Sequence, residues 1–187
     1  EMGILIGDKN LAAPEYLETA LVHAPDSRLW FQQKWQAHLP PQSDISADEL
    51  QQQQRFFAYI EQLKQQYGTD GKRLFAIPSA LSSQDSAWRA LDHISFSTWL
   101  QQQGYTAPSL LWYLDYACKD DYGINANQTS AWAGLHYFAS RTGQATQDGA
   151  MLEGVVLTWA DGLNPLIQHM ANKLTPSQRL QGIASHI

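Results

Sequence analysis

The sequence lacks, or has few of, several features that each indicate a particular class of protein. Its 187 residues include a single cysteine, Cys118, which excludes an intrachain disulfide framework and a zinc site built from cysteines. No apolar run approaches the roughly 20 residues that a membrane-spanning helix needs. Lysine and arginine number 12 against 18 aspartates and glutamates. This acidic balance argues against nucleic acid as a partner, because no basic stripe offsets repulsion from phosphate.

Several motifs of nucleotide, metal and hydrolytic chemistry are missing as well. The chain has no G-x-G-x-x-G fingerprint, no phosphate-binding P-loop, no H-E-x-x-H pair and no G-x-S-x-G nucleophile elbow. Its six histidines are scattered, and without a pair at helical ligand spacing we expect no metal site. No signal peptide is visible, so we expect a soluble cytoplasmic protein. Because the chain begins at Glu1 rather than at methionine, we expect a piece of a longer polypeptide.

The most informative stretch is residues 108–141, which holds two helical patterns joined by an acidic connection. Aliphatic residues recur at helical spacing, and tyrosine and tryptophan fill much of the remaining surface. Gly123 is a suitable stop for the first helix. We expect either Asp120 or Asp121 to pair with a base such as Arg141 and the other to meet solvent. The two helices fit either a hairpin packed in a core or the wall of a small-molecule cavity.

Helix signals also occur outside this stretch. Ser46 and Glu49 have the spacing of a capping box, which predicts the start of the clearest helix in the chain. The glutamines at 51–54 are expected to form the polar outer face of that helix. Residues 14–21 predict a further helix from their apolar spacing. Asn127 is a suitable N-cap for the second helix of the central pair.

Strand signals are short. Residues 2–7 and 155–159 are apolar runs with β-prone side chains. Residues 28–36 place aromatic runs around a polar break and fit a hairpin or a helix. Together these patterns predict an α+β fold, a mainly helical domain with a few short antiparallel strands.

Four segments of the chain resemble one family of enzymes. They are WYLDYACKDDYG at 112–123, SAWAGLHYFASR at 130–141, FAIP at 75–78 and LTWADG at 157–162. They resemble, in the same order, bacterial FAD-dependent oxidoreductases of the flavin amine oxidase and phytoene desaturase class. The resemblance covers at least residues 28–174. One departure is that the family often has Pro-Glu-Gly or Pro-Asp-Gly where this chain has Ala-Asp-Gly.

In that family the FAD-binding Rossmann fold is split. A substrate domain is inserted between the first strands of that fold and the later segment of the chain that completes it. Since the glycine-rich fingerprint is missing here, the resemblance implies that residues 1–187 are the substrate-binding or cap region of a longer flavoenzyme. Residues 157–187 would lead back toward the absent FAD-binding domain of the same polypeptide. FAD would be bound mainly by that domain, and the partner of this chain would be a small-molecule substrate.

Five polar aromatic residues lie off the aliphatic faces of the central helices, which makes them the expected substrate-binding residues. They are Tyr116, Tyr122, Trp132, His136 and Tyr137. Tyrosine and tryptophan supply apolar walls with a polar group that can orient a ligand. Core packing is the competing interpretation, above all for Trp132.

The resemblance implies at most a late, peripheral contact with the flavin through Thr158, Trp159 or Gly162. We therefore expect the isolated chain to be colourless and without oxidase or dehydrogenase activity, with an apolar surface near both termini that permits self-association. The alternative is a stand-alone helical module that binds an apolar or aromatic small molecule without catalysis.

Overall fold

The computed structural model describes residues 3–8, 15–22, 28–37, 39–141, 156–157, 159 and 162–183. The chain forms two compact units. The inner unit is the continuous segment Asp26–Thr142, and the terminal unit combines Glu1–Pro25 with Gly143–Ile187. Within the described ranges no helix is long and apolar enough to cross a membrane.

Helices dominate the described residues, and the strands among them are short and antiparallel, which confirms the predicted α+β class. The helices are α1 (Ala47–Lys64), α2 (Ser86–Arg89), α3 (Phe96–Gln102), α4 (Pro108–Tyr122), α5 (Ala131–Ala139) and α6 (Asn164–Ala171). The strands are β1 (Leu5–Ile6), β2 (Glu15–Tyr16), β3 (Leu21–Val22), β4 (Arg28–Phe31), β5 (Lys34–Ala37) and β6 (Val156–Leu157). They pair as β1–β2, β3–β6 and β4–β5.

The aromatic segment at 28–36 is a hairpin rather than a helix. Trp30 of β4 lies opposite Trp35 of β5, and their rings meet edge to face with centroids 5.3 Å apart. The turn residues Gln32 and Gln33 both have positive φ, 52° and 61°, as a two-residue turn that matches strand twist requires. The hairpin alternative is thus confirmed.

The predicted helix at 14–21 is wrong. Tyr16 instead pairs with Leu5 in a two-stranded sheet, and Glu18–Ala20 forms one 3-10 turn. The apolar spacing fitted a helix, but the segment is too short for local preference to outweigh strand pairing.

Helix α1 begins at the predicted capping box. The Ser46 hydroxyl accepts the Glu49 N–H at 3.2 Å, and the Glu49 carboxylate accepts the Ser46 N–H at 3.1 Å. The adjacent glutamines do not all face solvent as predicted, because Gln52 and Gln53 are buried. Gln52 Oε1 accepts the N–H groups of Thr106 and Ala107 at 2.7 and 3.0 Å. One side chain of α1 therefore satisfies donors at the start of α4, whose own N-cap residue has no side-chain hydrogen bond.

The central pair, α4 and α5, packs in the core of the inner unit. Helix α4 ends at Gly123 with φ of 68°, the predicted left-handed cap. Helix α5 is capped by Ser130, whose hydroxyl accepts the Ala133 N–H at 3.1 Å, so the predicted cap at Asn127 is wrong. Residues 125–129 form a separate turn, closed by the Thr129 N–H on the Asn125 carbonyl. Cys118 is buried in the core, as its packing interpretation expected.

Most of the fully buried side chains of the inner unit come from four helices and the segment between α1 and α2. They include Phe56, Leu63, Phe75, Phe96, Leu100, Leu110, Leu114 and Leu135. Gly134 of α5 lies directly against the Phe96 ring of α3, since a Cβ at Gly134 would come within 2.4 Å of two ring carbons. The Phe96 ring thus fills the space that a side chain at position 134 would need.

Candidate functional site

Trp132 and His136 form the most compact part of the predicted site. They are four residues apart on α5 and therefore share a face, with their rings stacked at a centroid distance of 4.9 Å. His136 Nε2 lies 2.8 Å from the Ala76 carbonyl oxygen. A carbonyl can only accept, so Nε2 carries the proton and Nδ1 is left as the second ring nitrogen. This bond also joins two of the family-like segments, at 75–78 and 130–141.

The Trp132 indole ring contacts neighbouring side chains, but its N–H group has no hydrogen-bond partner among the described residues. The Arg89 guanidinium lies 4.9 Å from the ring centroid, and the Phe75 ring lies 5.7 Å away. Trp132 Nε1 is buried and finds no hydrogen-bond acceptor among the residues that the structure describes. An unsatisfied buried donor costs roughly 1–3 kcal/mol, so this N–H is an energetically costly feature of the cluster.

Tyr122 has a structural hydrogen bond. Its hydroxyl donates to the Ala133 carbonyl at 2.9 Å and so joins the end of α4 to α5. Burial, assisted by the nearby charge of Asp121, raises the pKa of Tyr122 to about 12. The phenol is therefore protonated at neutral pH. Because its proton is donated to Ala133, the hydroxyl could contact a ligand only as an acceptor while this bond is kept.

Tyr137 lies under a cation. The Arg141 guanidinium is 4.0 Å from the Tyr137 ring centroid, and its Nη2 contacts both carboxylate oxygens of Asp121 at 3.0 Å. The expected pairing of one acidic residue with Arg141 is thus confirmed for Asp121. Asp120 is exposed.

Tyr116 lies apart from these contacts. It is 44% exposed on α4 and stacks on Trp112, with ring centroids 6.0 Å apart and an interplanar angle of 19°. The structure therefore joins Trp132 to His136, ties Tyr122 to α5, places Tyr137 beside Arg141, and leaves Tyr116 on an outer face. That all five contact one substrate remains a prediction.

The residues expected near a flavin belong to the terminal unit. Thr158 lies outside the described residues. Trp159 is half-buried, and its Nε1 has no acceptor within the described part of the chain. Gly162 has φ of 67° and donates its N–H to the Trp159 carbonyl at 2.9 Å. Ala160 and Asp161, between these two residues, lie outside the described ranges.

The sequence did not predict a cavity that lies in the inner unit. Its volume is about 370 Å³, and it is lined by Leu29, Trp30, Phe31, Pro41, Glu49, Pro108, Ser109 and Trp112. The hairpin, α1 and the start of α4 all contribute. The aromatic excess of residues 28–35 and 108–116 was the available signal, but the cavity arises only when these distant segments meet.

Across the described ranges, no cluster of three or more histidine, cysteine, aspartate or glutamate side chains is placed to hold a metal ion. Comparison with known proteins found no match to any family model, curated protein or solved structure.

Proposed function

We propose that this chain is the substrate-binding region of a bacterial FAD-dependent oxidoreductase of the flavin amine oxidase and phytoene desaturase class. The observation that carries this proposal is the division of the chain. The terminal unit takes residues from both ends, and β3 (Leu21–Val22) pairs with β6 (Val156–Leu157) across more than 130 intervening residues. The inner unit is thus inserted between two paired arms, which is the connectivity expected of a substrate domain placed within a split flavin-binding fold.

The exposed surface of the terminal unit supports the same reading. Helix α6 and the residues on either side of it expose large apolar side chains, namely Leu163, Ile167, Met170, Leu174, Leu180 and Ile183. Ile6 and Leu17 are exposed in the other arm. Soluble domains seldom leave such groups facing water unless another surface covers them. The FAD-binding domain of the same polypeptide is the proposed covering partner, and the cytoplasm is the proposed compartment.

The Trp132–His136 cluster is the proposed point of substrate contact. Its unsatisfied indole N–H and aromatic walls suit a ligand with an apolar body and one acceptor atom. When bound, FAD would supply a ring that accepts a hydride from the substrate. The chain's own residues would orient that substrate and exclude water, while Trp159 and Gly162 would contribute at most peripheral contacts to the cofactor.

This assignment is tested in the longer polypeptide by measuring substrate-dependent flavin reduction. His136→Ala and Tyr137→Phe are expected to slow reduction while the bound flavin content stays unchanged, because neither residue is assigned to the cofactor. Asp120→Asn, an exposed change on α4, is the matched control. Unchanged reduction rates in both variants would contradict the site.

A second candidate function is favoured by the separate cavity of about 370 Å³ beside Trp30 and Trp112. Its volume falls within the range of about 300–1,000 Å³ that is usual for ligand pockets. It would suit a stand-alone module that binds a small molecule without catalysis. This alternative would be favoured if the whole polypeptide encoded by the reading frame binds a small molecule but carries no flavin.

A further inference from the structure

The cavity beside the hairpin combines aromatic walls with one fixed charge. Trp30 of β4 and Trp112 of α4 are part of its lining and are 56% and 45% exposed. Leucine, phenylalanine and proline side chains supply most of the rest, and Glu49 is the one ionisable residue among the eight that line it. None of the residues assigned above to substrate or flavin contact lines this cavity.

Glu49 is held as an anion. Its Oε2 accepts the Ser46 N–H at 3.1 Å, and its Oε1 accepts the Ser109 N–H at 3.2 Å. The carboxylate therefore serves the first turns of both α1 and α4, where the helix dipoles favour negative charge. The pKa of Glu49 is lowered, first by the backbone N–H of Ser46 and then by the Ser109 hydroxyl. A bound anion would be repelled from this cavity, and a cation would be attracted.

The polar groups of the lining are already engaged with the protein. Besides its two backbone donors, Glu49 is within 3.2 Å of the Ser46 hydroxyl. The Ser109 oxygen accepts the Gln53 side-chain N–H at 3.0 Å. A primary ammonium group brings three N–H donors and loses free energy when they leave water without acceptors. A cation without N–H donors avoids this cost and still gains from the carboxylate and the indole faces.

We propose that this cavity binds an organic cation without N–H donors, a quaternary ammonium group carried on an apolar body. Trp30 and Trp112 supply the aromatic faces, Glu49 supplies the opposing charge, and the aliphatic lining accommodates the body. The site goes beyond the flavoenzyme assignment and does not depend on it, since every residue it uses lies in the inner unit. Its test needs neither flavin nor turnover.

The probe is benzyltrimethylammonium, titrated into the isotopically labelled 187-residue chain while the indole N–H signals are followed by NMR. The Trp30→Leu and Trp112→Leu variants assign two of the seven tryptophan signals. We expect saturable shifts concentrated on these two signals. Benzylammonium, with the same ring and charge but three N–H donors, is expected to bind about tenfold more weakly. Benzoate is expected not to bind.

Variants separate this site from general charge attraction. Glu49→Gln keeps one acceptor oxygen, for either the Ser46 or the Ser109 N–H, and removes the charge. We expect binding weakened by about fivefold. Asp120→Asn removes an equal charge from an exposed position and is expected to leave affinity unchanged. Trp112→Leu is expected to weaken binding by about tenfold and Trp112→Phe by less. Tyr67→Leu, at an exposed aromatic residue outside the lining, is the aromatic control.

Three results would overturn the inference. The first is an absence of saturable shifts with benzyltrimethylammonium. The second is benzylammonium binding as tightly as the quaternary probe, which would assign the site to hydrogen-bonded amines. The third is that Glu49→Gln and Asp120→Asn weaken probe binding equally, which would mean that binding depends only on the net charge of the protein. If circular dichroism shows that Trp112→Leu does not fold, the other two variants still test the inference. Undiminished binding of the probe by both Trp112→Phe and Glu49→Gln would then contradict it.

Discussion

Replacing Gly134 by alanine tests how α5 packs against α3. The added Cβ would lie 2.4 Å from two carbons of the Phe96 ring and 2.8 Å from a third, well inside van der Waals contact. The ring has no exposed surface and is backed by Phe56 and Trp99, with centroids at 6.5 and 6.0 Å. It therefore has no room to move away without displacing the aromatic core.

Two opposing effects set the magnitude. Overpacking a dense core costs roughly 1–3 kcal/mol and occasionally more, and the rigid surroundings of Phe96 favour the upper end. Alanine is a better helix former than glycine by about 1 kcal/mol. We expect Gly134→Ala to lower the free energy of unfolding by about 2 kcal/mol, measured by urea denaturation. For a chain of this size that corresponds to a melting temperature lower by roughly 4–8 °C.

A double-mutant cycle with Phe96→Leu provides the control. The smaller leucine leaves space for the new methyl group, so Gly134→Ala should cost at least about 1 kcal/mol less in that background. If Gly134→Ala instead stabilises the wild-type chain by the helix-propensity gain alone, α3 does not pack on α5 as described.

Three further predictions concern polar groups. Gln52→Ala leaves two N–H groups at the start of α4 without their acceptor and should cost about 2 kcal/mol by urea denaturation, whereas the exposed Gln54→Ala should change stability by less than about 0.5 kcal/mol. Tyr122→Phe should cost about 1 kcal/mol. Because the folded pKa of Tyr122 is raised to about 12, the stability linked to this phenol is present below its unfolded pKa and is lost as pH rises through the folded value. Tyr122→Phe should remove that alkaline loss. For Glu49 the folded pKa is lowered, so its stabilisation is present above the unfolded pKa and is lost as pH falls, and Glu49→Gln should flatten the acid-side decline in unfolding free energy. A Glu49→Gln profile that declines as steeply as the wild type would contradict the assigned ionisation.

The features that could be predicted from sequence are those set by neighbouring residues. The capping box of Ser46 and Glu49 and the left-handed stop at Gly123 involve residues within one or two turns of each other. The pairing of Asp121 with Arg141 followed from the expected hairpin of helices. Local spacing alone determines the first two contacts, whereas the ion pair joins residues 20 apart and also requires α4 and α5 to pack together.

The features that could not be predicted depend on segments far apart in the chain. Gln52 and Gln53 looked like solvent-facing residues, but both are buried. Gln52 accepts two N–H groups at the start of α4, and Gln53 donates to the Pro41 carbonyl and the Ser109 hydroxyl. The cavity between Trp30 and Trp112 requires the hairpin to meet α4, more than 70 residues later. Nothing in the local pattern around either tryptophan encodes that meeting.

The flavin content of two purified proteins tests the central claim most directly. One is the 187-residue chain, and the other is the whole polypeptide encoded by the reading frame that contains it. We expect the whole polypeptide to carry stoichiometric FAD, with its visible absorbance bands, and to include a G-x-G-x-x-G segment ahead of the inner unit. We expect the 187-residue chain to fold and to be colourless. Stoichiometric flavin on the 187-residue chain, or none on the whole polypeptide, would contradict the assignment.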